Sequence, residues 1–239
     1  MGPVAVAVVL AAGIGSRVGA GGNKAFLTLD GRSMLVWSLD TLGRVPVVAR
    51  TVLVYRQGEA ELARATVAGE LGADTPVEFV EGGATRHRSE LNVLRYLAGD
   101  IDAGAVDVVL IHDAARPLAG ADMFTTAVAL ARESGGALPA LEVTGLARVR
   151  AGTAEPLLET TIRVQTPQAF RARDVLDAYR CSERDGFEGT DTSSCVERYT
   201  DVEVRTFPGS AANLKVTYPG DIAVAHHLLS AQNRTAGSR

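Results

Sequence analysis

The segment Leu10-Ala11-Ala12-Gly13-Ile14-Gly15-Ser16-Arg17 leaves an apolar run directly and reaches Lys24 through Gly19, Gly21 and Gly22. Small residues let backbone N–H groups approach an anion closely, and oriented amides form a cradle for phosphate oxygens. Arg17 and Lys24 set two cations beside that cradle. A polyphosphate needs both amides and charge, so a nucleoside triphosphate suits the loop. The plain alternative is a glycine-rich turn with solvated charges. Two other nucleotide loops fit less well. A Walker A loop needs Gly-Lys followed by Ser or Thr, whereas Lys24 follows Asn23 and precedes Ala25. A dinucleotide fingerprint needs a third glycine where Val18 stands, and an acid after the next strand, which ends near Tyr55 without one.

Three further segments could carry chemistry. His112-Asp113-Ala114-Ala115-Arg116-Pro117 closes another apolar run. Ligands of open α/β sheets bind outside the carboxyl ends of strands, so this segment should share a crevice with the first loop. Asp113 could hold Mg²⁺, which takes one or two protein oxygens plus phosphates and water, or could merely cap the strand. His112 could be a base or a packed, hydrogen-bonded orienter; it is given no role. Gly82-Gly83-Ala84-Thr85-Arg86-His87-Arg88-Ser89 offers amides, hydroxyls and two arginines at a helix start. That suits a base or phosphate contact, or an ordinary N-terminal cap. Asn213-Leu214-Lys215-Val216-Thr217 ends a late strand with one lysine, by itself no more than a solvated charge.

The elements that must position these residues follow from pattern. Val4–Leu10 is apolar at every position, as in a parallel sheet covered on both faces. Thr51–Tyr55, Val77–Val80 and Val106–Ile111 are further strands. Helical periodicity over Met34–Leu42, Glu59–Leu71, Arg86–Leu97 and Ala121–Ser134 alternates with them. This predicts right-handed βα units on a mostly parallel sheet. After Gly135-Gly136 the rhythm changes, and Glu142–Arg163 reads as an extended arm or hairpin. A helix over Ala172–Tyr179, a polar stretch through Thr190–Ser194, a strand over Val202–Phe207 and a closing helix over Asp221–Ser230 follow. The expectation is one domain over residues 1–231, with an arm at about 142–163 and a disordered tail at 232–239.

Composition bounds the function. The chain has 239 residues, 46% hydrophobic but only 5% aromatic, which fits α/β layers better than an aromatic-rich sandwich. With 24 Lys+Arg against 28 Asp+Glu the net charge is −4. Bulk charge therefore favours neither nucleic acid nor an anionic membrane, and any anion site must be local. The longest apolar run, Val4–Ala12, is far short of a membrane span, and no basic residue precedes it as in a signal peptide. Cys181 and Cys195, with no cluster of metal-ligand spacing, argue against a disulfide scaffold and structural zinc. A cytoplasmic protein is expected.

Taken in order, the segments resemble the IspD family, the 2-C-methyl-D-erythritol 4-phosphate cytidylyltransferases, within the sugar-phosphate nucleotidyltransferases of GT-A-like, Rossmann-like fold. The matching pieces are Leu10 to Arg17 with Lys24, Gly82-Gly83 with Arg86 and Ser89, and His112 to Pro117. To these add Val164-Gln165-Thr166-Pro167-Gln168-Ala169-Phe170, Thr190-Asp191 and Asn213 to Thr217. The resemblance implies transfer of CMP from CTP to a polyol phosphate, with Mg²⁺ and release of pyrophosphate. It implies that Arg17, Lys24 and Lys215 carry catalysis, and that Ala11, Ala12, Gly13, Gly15 and Ala114 line the nucleotide. Gly82, Gly83, Arg86 and Ser89 would complete the nucleotide site and read the base. Asp113 would serve the metal or the acceptor hydroxyls. Arg116, from a neighbouring subunit, and Thr190 would contact the acceptor, and a homodimer would form through the arm.

The sequence departs from the family in the acceptor half. Gly145 stands where the resemblance expects a Thr, and Leu158 where it expects the Arg that grips the acceptor phosphate. The acidic pair expected after Thr-Asp is Thr192-Ser193. Arg148, Arg150 and Arg163 are the nearby cations that could compensate. Methylerythritol phosphate is the leading acceptor, and a pentitol phosphate or a phosphonate the alternative; a non-catalytic nucleotide-binding paralogue is the other class.

Overall fold

Along β1 (Val4–Leu10) side chains alternate across a sheet: Ala5, Ala7 and Val9 enter one apolar cluster, Val6 and Val8 the other, all fully buried. A strand apolar at every position needs cover on both faces. The computed structural model, which describes residues 2–13, 22–150, 152–156 and 160–236, supplies that cover with helices. The first face is closed by α1 (Met34–Leu42), α2 (Ala60–Leu71) and α4 (Ala121–Ser134). The second is closed by α3 (Arg86–Asp102), α5 (Ala172–Asp185) and α6 (Thr192–Tyr199). Each fully buried Val, Leu or Phe contributes ~1.5–3 kcal/mol, so the two layers supply most of the driving force.

The remaining strands are β4 (Val48–Tyr55), β5 (Val77–Glu81), β6 (Val106–Asp113), β7 (Gly135–Val143), β10 (Thr161–Val164), β11 (Gln168–Arg171) and β12 (Glu203–Pro208). They form an eight-stranded sheet ordered β10-β7-β11-β6-β1-β4-β5, with β12 also paired to β7. β5, β4, β1 and β6 run parallel, and β11 inserts antiparallel between β6 and β7. Strand order reverses between β1 and β6, the place where open α/β sheets bind ligands. There Leu10 pairs with Asp113, so two of the segments singled out above emerge side by side.

Two short strands, β2 (Thr28–Leu29) and β3 (Arg32–Ser33), form a hairpin before α1. The arm is a second hairpin, β8 (Ala147–Arg150) with β9 (Thr153–Pro156), exposed over Gly145–Val149 and Gly152–Pro156. The ends of the expected 142–163 arm belong to the main sheet instead, since Thr161–Val164 pairs with Ala140–Val143. Other elements differ from the sequence pattern. The polar stretch at Thr190–Ser194 opens a helix, α6, because Asp191 caps it through a reciprocal box with Ser194 and only Cys195 and Val196 need burial among its apolar residues. Lys215 lies on irregular backbone rather than at a strand end. The closing helix α7 runs Pro219–Ala236, past the expected end at Ser230 and into the tail.

Candidate active site

A pocket of about 360 Å³ opens at the switch point, within the range of small-molecule sites. Ala11, Ala12 and Gly13 form one wall as the chain leaves β1; Asp113, Ala114 and Ala115 form the floor as it leaves β6. Backbone bonds fix both turns: Ala11 N donates to Val54 O at 2.8 Å and Ala114 N to Leu10 O at 3.1 Å. The opposite wall is Gly83, Thr85, Arg86 and Ser89. Gly15 and Arg17 lie outside the described residues.

The Gly82-Gly83 turn is glycine for steric reasons. A Cβ on Gly82 would stand 2.6 Å from Ala12 Cβ and 2.9 Å from Ser89 Oγ; one on Gly83 would stand 2.4 Å from Arg88 Cβ. Ser89, buried, accepts from Gly83 N at 3.0 Å and donates to Thr85 O at 2.9 Å. Its hydroxyl thus holds the turn as well as lining the pocket.

Lys24 and Lys215 arrive from opposite ends of the chain. Asn23 fixes Lys24: its amide donates to Ala11 O at 2.5 Å and to Glu59 Oε2 at 2.7 Å, and its carbonyl oxygen accepts from Ala25 N at 3.0 Å. Lys24 Nζ donates to Val216 O at 2.9 Å. Val216 is held in turn by its N–H to Ala115 O at 2.8 Å and by an apolar cluster with Leu29, Met34, Leu118, Ala225 and Leu229. Lys215 Nζ then meets Asp113 Oδ2 at 2.6 Å, and Arg86 Nε reaches Asp113 Oδ1 at 3.4 Å. Among the described lining residues three cations, Lys24, Arg86 and Lys215, face one carboxylate. Burial pushes the Asp113 carboxyl up, but Arg86, Lys215 and Arg116 outweigh it and hold it below the ordinary carboxylate range.

His112 is an orienter. It is fully buried; Nε2 lies 3.2 Å from Arg116 O, which can only accept, so Nδ1 must accept from Thr166 Oγ1 at 3.2 Å. Burial lowers its pKa to about 4, so it is neutral near pH 7. Thr166 Oγ1 also accepts from Asp113 N at 3.1 Å, and Asn213 Nδ2 donates to Thr166 O at 2.9 Å. The Gln165-to-Gln168 segment therefore clamps the ends of β6 and of the Lys215 segment together; Gln168 Nε2 reaches Asp191 Oδ2 at 2.9 Å. Asn23 was not singled out in the sequence, and Thr166 only as part of the Val164–Phe170 segment. Asn23 alone carried a signal, as a capping residue type just before Lys24.

Arg116 and Thr190 stand apart from the pocket. Arg116 is buried within its own chain, Nη1 donating to Asn213 O at 2.7 Å and Nε without a hydrogen-bond partner. Thr190 is exposed just ahead of α6. Leu158 lies outside the described residues. Gly145 sits in the exposed arm at a φ of 73°, a left-handed conformation that a Thr would adopt only with strain.

Turns of small residues and three cations meet at the switch point of a mostly parallel, Rossmann-like sheet, an arrangement suited to a nucleotide. The comparisons make the assignment specific. The model of the family IspD: 2-C-methyl-D-erythritol 4-phosphate cytidylyltransferase matches residues 5–231, and the chain belongs to that family. The 2-C-methyl-D-erythritol 4-phosphate cytidylyltransferase of Acidobacterium capsulatum is 38% identical over 230 residues, covering 91% of this chain and 94% of the relative. That of Geobacter metallireducens is also 38% identical, covering 92% and 94%. Among solved structures, the 4-diphosphocytidyl-2C-methyl-D-erythritol synthase of Anaerococcus prevotii superposes with a TM-score of 0.81 at 24% identity, covering 95% of this chain and 96% of that one. No helix among the described residues is long and apolar enough to cross a membrane.

Proposed function

We propose that the chain transfers CMP from CTP to 2-C-methyl-D-erythritol 4-phosphate and releases pyrophosphate. The observation that carries this reading is the set Lys24, Arg86, Lys215 and Asp113 around one pocket, between turns of small residues, in a member of this family. The acceptor phosphate oxygen attacks the α-phosphorus, forming the new P–O bond as the bond to the β-phosphate oxygen breaks and its electrons leave with pyrophosphate. Two anions must meet while charge builds on the leaving group, so positioned cations and in-line orientation supply most of the catalysis. Lys24, with Arg17, would hold the triphosphate; Lys215, steered by Asp113, would face the α- and acceptor phosphates. Gly83 and Ser89 would bound the cytosine, with Gly82, buried behind the lining, holding the turn.

The donor set for a divalent ion is sparse. Asp113 is the single carboxylate of the described lining, both of its oxygens already meet cations, and no group of three metal-ligating side chains occurs among the described residues. That chemistry fits a Mg²⁺ carried by the triphosphate, with Asp113 supplying at most one oxygen. When bound, the ion neutralises phosphate charge. The chain's own residues bind and orient.

The acceptor side favours a homodimer. The arm and its returning strand leave Leu146, Val149, Ile162 and Val164 between 37% and 71% exposed, an apolar strip that suits a second copy. Burial lowers the Arg116 pKa, and Arg163, on that strand, lies close enough to help lower it, which supports a cationic patch at that end of the sheet. Gly145, which offers no side chain to an acceptor, favours a second reading in which another polyol phosphate or a phosphonate is the substrate. A cytosolic setting accords with both. Pyrophosphate release from CTP over a panel of acceptor phosphates tests the proposal; CTP binding without turnover on any acceptor would leave a nucleotide-binding paralogue.

A further inference from the structure

We propose that Glu90, on α3 behind the pocket, is a positioning residue for nucleotidyl transfer: its carboxylate holds the Arg86 guanidinium in the pocket wall. Through Arg86 it shares out the two oxygens of Asp113, one for Arg86 and one for Lys215. The inference rests on the nucleotide pocket proposed above. Glu90 is 1% exposed, and two hydroxyl donors and one guanidinium, from three helices, converge on it, the guanidinium as an ion pair whose Nη1 is outside hydrogen-bond geometry. Arg86, one turn earlier on α3, brings Nη1 to 2.7 Å from Oε1; Thr192, at the start of α6, donates its hydroxyl to the same oxygen at 2.7 Å; Tyr179, on α5, donates to Oε2.

The result is a line of alternating charge, Glu90, Arg86, Asp113 and Lys215, running from the core to the pocket. An apolar side chain would fill the Glu90 slot without the desolvation cost of a buried carboxylate, so the geometry here is held for a use other than packing. Without it the half-buried Arg86 charge would lean mainly on Asp113 and draw that carboxylate from Lys215. Sequence context agrees. Thr192-Ser193 stands where an acidic pair is expected, and Thr192 hydrogen-bonds the Glu90 carboxylate.

Glu90→Gln tests this, because it keeps the size and removes the charge, while the amide group it introduces can donate to the Thr192 or Tyr179 hydroxyl. Loss of an orienting partner behind a site typically costs ~10–100-fold in activity, and a fall of that size in kcat/KM for CTP, with a cooperative thermal melt retained, is expected. Thr192→Asp added to Glu90→Gln returns a carboxylate to the same contact and should recover most of the loss, which a generic packing defect would not allow. If Glu90→Gln does not fold, Glu90→Asp keeps the charge but withdraws it from Arg86, and a tenfold or greater loss is expected there too. Wild-type kcat/KM in the charge-neutral or the shortened variant, or a folded loss that Thr192→Asp leaves untouched, would overturn the proposal. Lys24→Ala, assayed alongside, separates the two readings. An active Lys24→Ala would sink the pocket itself, whereas an inactive Lys24→Ala beside a fully active Glu90→Gln would sink only the role of Glu90.

Discussion

Lys24 and Lys215 sit in one pocket only because backbone atoms far apart in sequence hold them there. Lys24 is aimed by Asn23 on one side and Val216 O on the other. Removing one charge-stabilising donor typically costs ~10²–10³ in rate, about 2.7–4 kcal/mol. Lys24→Ala should lose that much in kcat for pyrophosphate release while its melting temperature stays within a few degrees of wild type; near-normal turnover would remove Lys24 from the triphosphate site. His112 makes a different prediction. Its folded pKa, about 4, lies below the ordinary 6.5, so the unfolded chain takes up this proton first as pH falls. The contribution to stability is present above pH 6.5 and is lost as pH falls to about 4, some 3 kcal/mol over the window at ~1.4 kcal/mol per unit. Urea midpoints between pH 7.5 and 4 should show that slope in wild type and a flatter one in His112→Asn; parallel curves would contradict the buried, neutral assignment.

At the scale of elements, the Gly82-Gly83 turn couples β5 to the nucleotide wall. Gly82→Ala would drive a methyl into Ala12 and the Ser89 hydroxyl, and overpacking of that kind costs ~1–3 kcal/mol. Because Ala12 belongs to the phosphate wall, the expected result is a raised KM for CTP together with lower stability; a stability loss with unchanged KM would place the turn outside the site. How far the elements could be read from the sequence depended on their source of order. β1, β4, β5, β6 and the helices between them follow from apolar runs and helical periodicity, which each strand or helix carries within itself. β7 and β11 do not: β7 begins with Gly135-Gly136, required because Phe170 packs 2.9 Å from where a Gly136 Cβ would be, and β11 is only four residues long. α6 was hidden by a polar first turn whose order comes from the Asp191 box. In the site the glycine turns, Lys24, Asp113 and Lys215 were legible as residue types. The roles of Asn23 and Thr166 were not, because each acts through partners distant in sequence, and Glu90 was hidden on a buried helix face.

At the scale of the whole molecule, the pocket proposed for the nucleotide is lined within one chain, and the acceptor side is proposed to be completed by a second copy. The arm and the returning strand beside it carry exposed apolar side chains, so a homodimer in sedimentation at micromolar concentration is expected, and Val149→Glu with Ile162→Glu should shift it toward monomer. A wild-type monomer under those conditions would contradict the arm as an interface. The central claim is cytidylyl transfer to methylerythritol phosphate, and kcat/KM for that acceptor with CTP, set beside pentitol phosphates and phosphonates, tests it most directly. A value within the ~10⁴–10⁸ M⁻¹s⁻¹ of efficient enzymes, with the other acceptors far below it, is the predicted result. No turnover of methylerythritol phosphate, with another acceptor processed well, would contradict it.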